Sequence, residues 1–174
     1  AGWTNDFATY YPAGGALAAT WNAEMAHTFG TSLGEELRAR DKDMLLSPAI
    51  NMVRTPLGGR TYEYMSEDPF LNKKIAVPLV VGLQEKDVMA CVKHFALYGA
   101  PEGGRDYNTV DMSHIRMFND YFPPYKAAVD AGVGSVMASF NEVDGIPATG
   151  NKWLMTEVLR NQWKFKGFVV TDYT

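Results

Sequence analysis

The sequence predicts a parallel α/β fold, and three observations predict it. Four runs, "DMLLSPAI" (43–50), "DVMACVKHF" (87–95), "GSVMASFN" (134–141) and "GFVVTDY" (167–173), are apolar nearly throughout rather than alternating, the pattern of strands buried on both faces. Segments of helical periodicity lie between them. Successive runs begin at 43, 87, 134 and 167, farther apart than the roughly 30 residues of a minimal βαβ unit, so the connections hold a helix and surplus loop.

In chain order, "NAEMAHTFGTSLGEELRAR" (22–40) sets Met25, Phe29, Leu33 and Leu37 at four-residue spacing, an amphipathic helix made to lie on a sheet. The strand run 43–50 follows, then the loop "RTPLGGRTYEYMSEDP" (54–69). A helix is expected over "KKIAVPLVVGLQ" (73–84), kinked at or starting near Pro78. After the run 87–95 comes a second long loop, "ALYGAPEGGRDYNTVDM" (96–112). "SHIRMFNDYFPPYKAAVDAG" (113–132) offers Ser113 as a cap and is kinked or restarted at Pro123-Pro124. After the run 134–141, "NKWLMTEVLRNQW" (151–163) repeats the helical pattern through Leu154, Val158 and Leu159, with Asn151 as cap and Gly167 as stop. Loops this long and this rich in Arg, Tyr, Glu and Gly carry function more often than mere connection.

Composition narrows the function classes. The chain's 174 residues, 47% hydrophobic and 21% charged, suffice for one domain with a sizeable core. A net charge of -4 supplies no basic stripe for a nucleic-acid backbone. The single cysteine, Cys91, allows no internal disulfide and no multi-cysteine metal site, and its setting in "VMACV" reads as a buried small hydrophobe. No metal or other cofactor is called for. The longest apolar stretch, "IAVPLVVGL" (75–83), is too short for a membrane span and contains Pro78 and Gly82. The opening "AGWTND" has neither an initiator Met nor a charged-then-apolar leader, the look of a trimmed or fragmentary chain.

Polar residues gather at the ends of the strand runs and in the loops after them: Arg60 in "PLGGRTYEY", Lys93 and His94 in "VKHFALYG", Arg105 in "EGGRDYN", and Asp172 in "VVTDY". In parallel α/β architectures ligands bind at the C-terminal mouths of strands, and in a closed barrel these groups would converge on one mouth. Taken singly each has an ordinary reading, such as an Arg paired with an acid, a satisfied strand-end His, or an Asp capping the next helix.

Taken together, "YYPAGGALAATWN", "PLGGRTYEYMSEDPFL", "CVKHFALYG", "GGRDYNTVDMS", "GVGSVMASFNEVDGIPATGNKWLMTEVLR" and "WKFKGFVVTDY" run in order along nearly the whole chain. This ordered set resembles the N-terminal barrel domain of family 3 glycoside hydrolases of the β-glucosidase type. The resemblance implies an incomplete (β/α)8 barrel of TIM type, parallel strands alternating with helices, with residues 1–174 forming one partial domain. It implies a retaining glycoside hydrolase that cleaves terminal β-D-glucosyl or related β-glycosyl residues, with Asp172 as the nucleophile. Arg60, Lys93, His94 and Arg105 would bind the glycone, Met137 and Phe140 would line its pocket, and Tyr173 falls where an aromatic, usually Trp, is found. Glu63, Glu67 and Asp68 fall in a segment that buttresses the loop and caps the next helix.

The resemblance further implies a β-glycoside substrate, no cofactor, and dependence on the remainder of the same polypeptide. In the family an upstream "DGP" segment grips sugar hydroxyls and a second, α/β sandwich domain supplies the general acid/base; neither has a counterpart in these residues, so the isolated chain is expected to be inactive or nearly so. The first and last barrel strands would lie outside it as well. An N-acetylglucosaminidase relationship is disfavoured, because "ALYGAPEGGRDYN" holds no His. Two other readings stay open: an inert or carbohydrate-binding fragment, and a barrel lyase using Lys93 as a Schiff-base amine. Lys93 and His94 are neighbours on a strand and should point to opposite faces, so for both to touch a sugar the backbone there must be irregular.

Overall fold

The computed structural model describes residues 7–173. Helices α1 (Gly14–Ala18) and α2 (Ala23–Arg38) precede strand β1 (Met44–Leu45); α3 (Pro69–Gln84) leads to β2 (Met89–Phe95). After β3 (Thr109–Val110) come α4 (His114–Arg116), a π-wound turn (Met117–Tyr121) and α5 (Pro123–Asp130). Strands β4 (Ser135–Ala138), β5 (Glu142–Val143) and β6 (Ile146–Pro147) follow, then a π-wound helix over Trp153–Gln162 and β7 (Phe168–Val170). Four strands form one all-parallel sheet in the order β1-β2-β4-β7, with Met44 opposite Met89, Cys91 opposite Ser135, and Ser135 opposite Phe168. A smaller sheet, β3-β5-β6, braces the loops beyond it. This is the expected alternation of buried parallel strands and covering helices.

Three expectations need correction. The run 43–50 is not one regular strand: regular pairing covers only Met44–Leu45, and beyond it the carbonyl oxygens of Ser47 and Pro48 accept from Cys91 N at 3.0 Å and Lys93 N at 3.1 Å, with a single bridge between Ala49 and Lys93, because Pro48 has no amide hydrogen to continue the ladder. The helix over 73–84 starts earlier, at Pro69, where Asp68 accepts a hydrogen bond from Phe70 N and so acts as the cap, and it runs on through Pro78. The last helix stops at Trp163 rather than at Gly167, with the reversal taken by Lys164 at φ 59°. The Asn151 and Ser113 caps form as expected, accepting from Leu154 N and Arg116 N, and the chain restarts as a helix at Pro123.

The face that α2 buries also differs. Leu37 is buried and Phe29 and Leu33 pack partly buried against the core as expected, but Met25 is about half exposed, and Ala26, Gly30 and Gly34, each one residue further on, are buried instead. Small residues win because α2 and α3 press backbone to backbone: a Cβ on Gly30 would lie 2.4 Å from the Leu79 carbonyl oxygen, and one on Gly82 would lie 2.4 Å from that of His27. Replacing Gly82 by Ala would gain roughly 1 kcal/mol of helix propensity. The overlap with rigid backbone costs about 1–3 kcal/mol and outweighs it. Gly82→Ala is therefore expected to lower the thermal midpoint, and an unchanged or raised midpoint would overturn this close contact.

Candidate active site

The polar residues at the strand ends surround a cavity of about 430 Å³, within the roughly 300–1,000 Å³ range of small-molecule sites. Lys93 enters from the end of β2, Met137 from β4, and Thr171, Asp172 and Tyr173 from the residues just past β7. Leu46, beyond β1, and Arg60, Tyr62 and Glu63, on the turn Thr61–Glu63 and its cap, complete the wall.

Backbone geometry delivers these groups. The register between β2 and β4 slips between Val92 and Phe95, and the Lys93–His94 and Phe95–Ala96 peptides are cis, so the irregularity expected around this pair is present. The carbonyl oxygen of His94 accepts from Tyr125 Oη at 2.8 Å and from Asn51 Nδ2 at 3.1 Å. The Ala96 carbonyl accepts from Ser139 Oγ and Asn141 Nδ2. The glycines bring the two long loops together. A Cβ on Gly104, which has φ +68°, would lie 2.7 Å from the Leu57 carbonyl oxygen, and Gly59 N donates to the Gly104 carbonyl at 3.1 Å. Arg60 is held between these loops, its guanidinium carbon 5.4 Å from the centre of the Tyr98 ring.

Both strand-end cations converge on Glu63: Arg60 Nε lies 2.5 Å from Oε1 and Lys93 Nζ 3.2 Å from Oε2. Arg60 also donates through Nη2 to His94 Nε2 at 2.9 Å. A guanidinium can only donate, so His94 Nε2 must accept and its proton sits on Nδ1, facing Tyr64 Oη at 3.5 Å. This resolves an apparent conflict at Asp172. His94 Nε2 lies 3.4 Å from Asp172 Oδ2, yet that oxygen is buried without a hydrogen-bond partner among the described residues. Two acceptors face each other there, and no ion pair forms. Asp172 Oδ1 accepts from Tyr173 N at 2.9 Å. Asp172 thus presents one anchored and one free oxygen.

His94 stays neutral. Burial, with Lys93 and Arg60 alongside, pushes its pKa from 6.5 down to about 2. Below pH 6.5 the unfolded chain takes up a proton that the native site refuses, so this contribution to stability is complete above that pH and is lost as pH falls towards about 2. The loss is up to about 1.4 kcal/mol per pH unit. The thermal midpoint is expected to fall between pH 7 and 5, and to fall less steeply in His94→Gln; equal slopes in the two proteins would count against this.

The structure brings Arg60, Lys93, Met137, Asp172 and Tyr173 to one cavity, with His94 buried against its wall. It does not bring Arg105 or Phe140 there. Arg105, exposed after two glycines of positive φ, lines a neighbouring cleft with Arg60, Tyr98 and Asp106. The Phe140 ring is taken up by Tyr98 and Tyr107, at centroid distances of 6.1 and 4.6 Å. Glu63, expected only to buttress its loop, does so by gripping both cations and thereby lines the cavity; its i,i+3 spacing from Arg60 was the available signal. Tyr64 was missed, since nothing in the sequence pairs it with His94.

Fold and site together define a parallel α/β protein of incomplete TIM-barrel type with a charged cavity at its strand mouths. The description "Glycosyl hydrolase family 3 N terminal domain" matches residues 1–174, and the chain belongs to this family. Beta-glucosidase BoGH3A of Bacteroides ovatus is 45% identical, over 99% of this chain and 23% of its own length. The periplasmic beta-glucosidase of Salmonella typhimurium is 43% identical, over 95% and 22%. A beta-glucosidase of Listeria innocua, solved in complex with glucose, superposes with a TM-score of 0.92 at 40% identity, over 95% of this chain and 24% of that one. The chain therefore spans about a quarter or less of the length of these relatives. Among the described residues, no helix is long and apolar enough to cross a membrane.

Proposed function

We propose that this chain carries the nucleophile and much of the glycone pocket of a retaining β-glucosidase, as one part of a longer polypeptide whose other segments supply the general acid/base. The observation that carries this reading is the buried, unpartnered Oδ2 of Asp172 at the mouth of a cavity that also holds Arg60 and Lys93. In the first step the Asp172 carboxylate attacks the anomeric carbon while the leaving oxygen takes a proton from the acid; in the second, water cleaves the glycosyl ester with the same group now acting as base. Lys93 and Arg60 would bond sugar hydroxyls, with buried, neutral His94 acting on the glycone through Arg60, and Met137 and Tyr173 would form apolar and aromatic walls. Arg105 lines the adjoining cleft together with Arg60, and Phe140 would support the loops by packing on Tyr98 and Tyr107.

Glu63 has both oxygens committed to cations and is a holder of charge rather than a source of protons. The same contact engages Lys93 Nζ with Glu63 and so weighs against Schiff-base chemistry. Relatives that act on β-glucosides by name support the substrate class. The test is exposure of the full-length polypeptide to an activated 2-deoxy-2-fluoro β-glucoside followed by peptide mass spectrometry. A glycosyl adduct on Asp172 is expected. An adduct on Glu63, Glu67 or Asp106 would show that the wrong carboxylate has been chosen.

A further inference from the structure

Asp172 lies among groups able to neutralise it, and no cation among the described residues bonds it: Oδ2 is buried and unpaired, and Oδ1 accepts from Tyr173 N. From the turn before β2 it is faced by Arg60, Tyr62 and Glu63; from the end of β2 by Lys93 and His94; from its own segment by Tyr173. Asp106, in the neighbouring loop, and Cys91, deeper in β2, also feel its charge. Each cation has another engagement. Arg60 Nε and Lys93 Nζ sit on Glu63, and Arg60 Nη2 fills the acceptor of His94.

We infer that Glu63 is a positioning residue that keeps the Asp172 carboxylate free to attack, by holding Arg60 and Lys93 on itself. The inference rests on Asp172 being the nucleophile. The side chains of Glu63, Arg60, Lys93 and Asp172 are only 16%, 18%, 17% and 10% exposed, so their pairings are weakly screened and whichever carboxylate is available takes the cations. Without Glu63, Asp172 is the anion left in the cavity, and the four-carbon stem of Lys93 is flexible enough to turn to it. A carboxylate clamped by an ammonium has its attacking lone pair engaged, and the clamp must break before a glycosyl bond forms.

The experiment follows the rate at which a 2-deoxy-2-fluoro β-glucoside labels the full-length polypeptide, in Glu63→Ala and Glu63→Gln, each with and without Lys93→Met. Glu63→Ala is expected to slow labelling of Asp172 by about 10- to 100-fold, the cost of one charged hydrogen bond to be broken. Glu63→Gln, which keeps an acceptor without the charge, should lie between. Lys93→Met should slow labelling in the parent but speed it in the Glu63→Ala background, because there the lysine has become an inhibitor. A brace of purely structural role would lower the thermal midpoint and leave Lys93→Met harmful in both backgrounds, which overturns the inference while Asp172 is still the residue labelled. A label on another carboxylate would instead overturn the assignment of the nucleophile and this inference with it.

Discussion

Asp172→Ala in the full-length polypeptide is expected to lower kcat on an aryl β-glucoside by roughly 10⁴- to 10⁶-fold, the range seen when a covalent nucleophile is removed. The magnitude follows from what no other group can do. Asp172 stands two residues beyond β7, where the parallel sheet fixes the backbone, and its own Oδ1 is tied to Tyr173 N, so Oδ2 is held in one direction. Attack on an anomeric carbon needs placement to within about half an ångström. The other carboxylate in the cavity, Glu63, is committed to two cations and cannot substitute. The alanine variant should recover turnover with added azide, giving a glycosyl azide of inverted configuration, because the small anion occupies the space of the missing carboxylate. Residual activity above about one hundredth of the parent rate, or azide rescue without inversion, would show that the double displacement runs through another residue.

How far the sequence reveals this arrangement depends on the range of the forces involved. The strands are legible because a parallel sheet covered on both faces demands unbroken apolar runs, and all four runs contain a strand of the parallel sheet, β1 being cut to two residues. Caps at Ser113 and Asn151 are local hydrogen bonds and equally legible. The buried face of α2 is not, since the Gly30 and Gly82 contacts are set by a helix some 50 residues away, and a stripe of small residues carries little hydrophobic signal. In the site, strand-end polar residues mark the cavity because strand direction alone fixes where they emerge. Arg105 and Glu63 come from long loops, and their placement depends on how Gly59 and Gly104 dock one loop on the other, while Phe140 lies in the short link between β4 and β5. Periodicity does not encode that docking. Residue type hinted at it only through the glycines.

Replacing Arg60 separates charge from geometry at the centre of this network. Its guanidinium makes three contacts in different directions: Nε to Glu63, Nη2 to His94 Nε2, and its face to the Tyr98 ring. Lysine retains the positive charge but is a compact point donor that cannot serve two acceptors through a planar fork and stack at once. If Arg60 acted mainly through its field, Arg60→Lys would be mild and Arg60→Ala severe. Because its Nη2 also fixes which nitrogen of His94 bears the proton, both variants are expected to lower kcat/KM by roughly 10²-fold, about 3 kcal/mol, the scale of two charge-assisted hydrogen bonds. His94 supplies the independent readout. Once Nε2 is released from the guanidinium, the imidazole can place its proton there and donate it to Asp172 Oδ2, 3.4 Å away, pairing the very oxygen that the parent leaves free. Nitrogen-15 chemical shifts of His94 should then move from the Nδ1–H pattern to Nε2–H in both variants. A lysine variant that keeps near-parental kcat/KM and the Nδ1–H tautomer would show that the positive charge of Arg60, rather than its bonding geometry, governs the site.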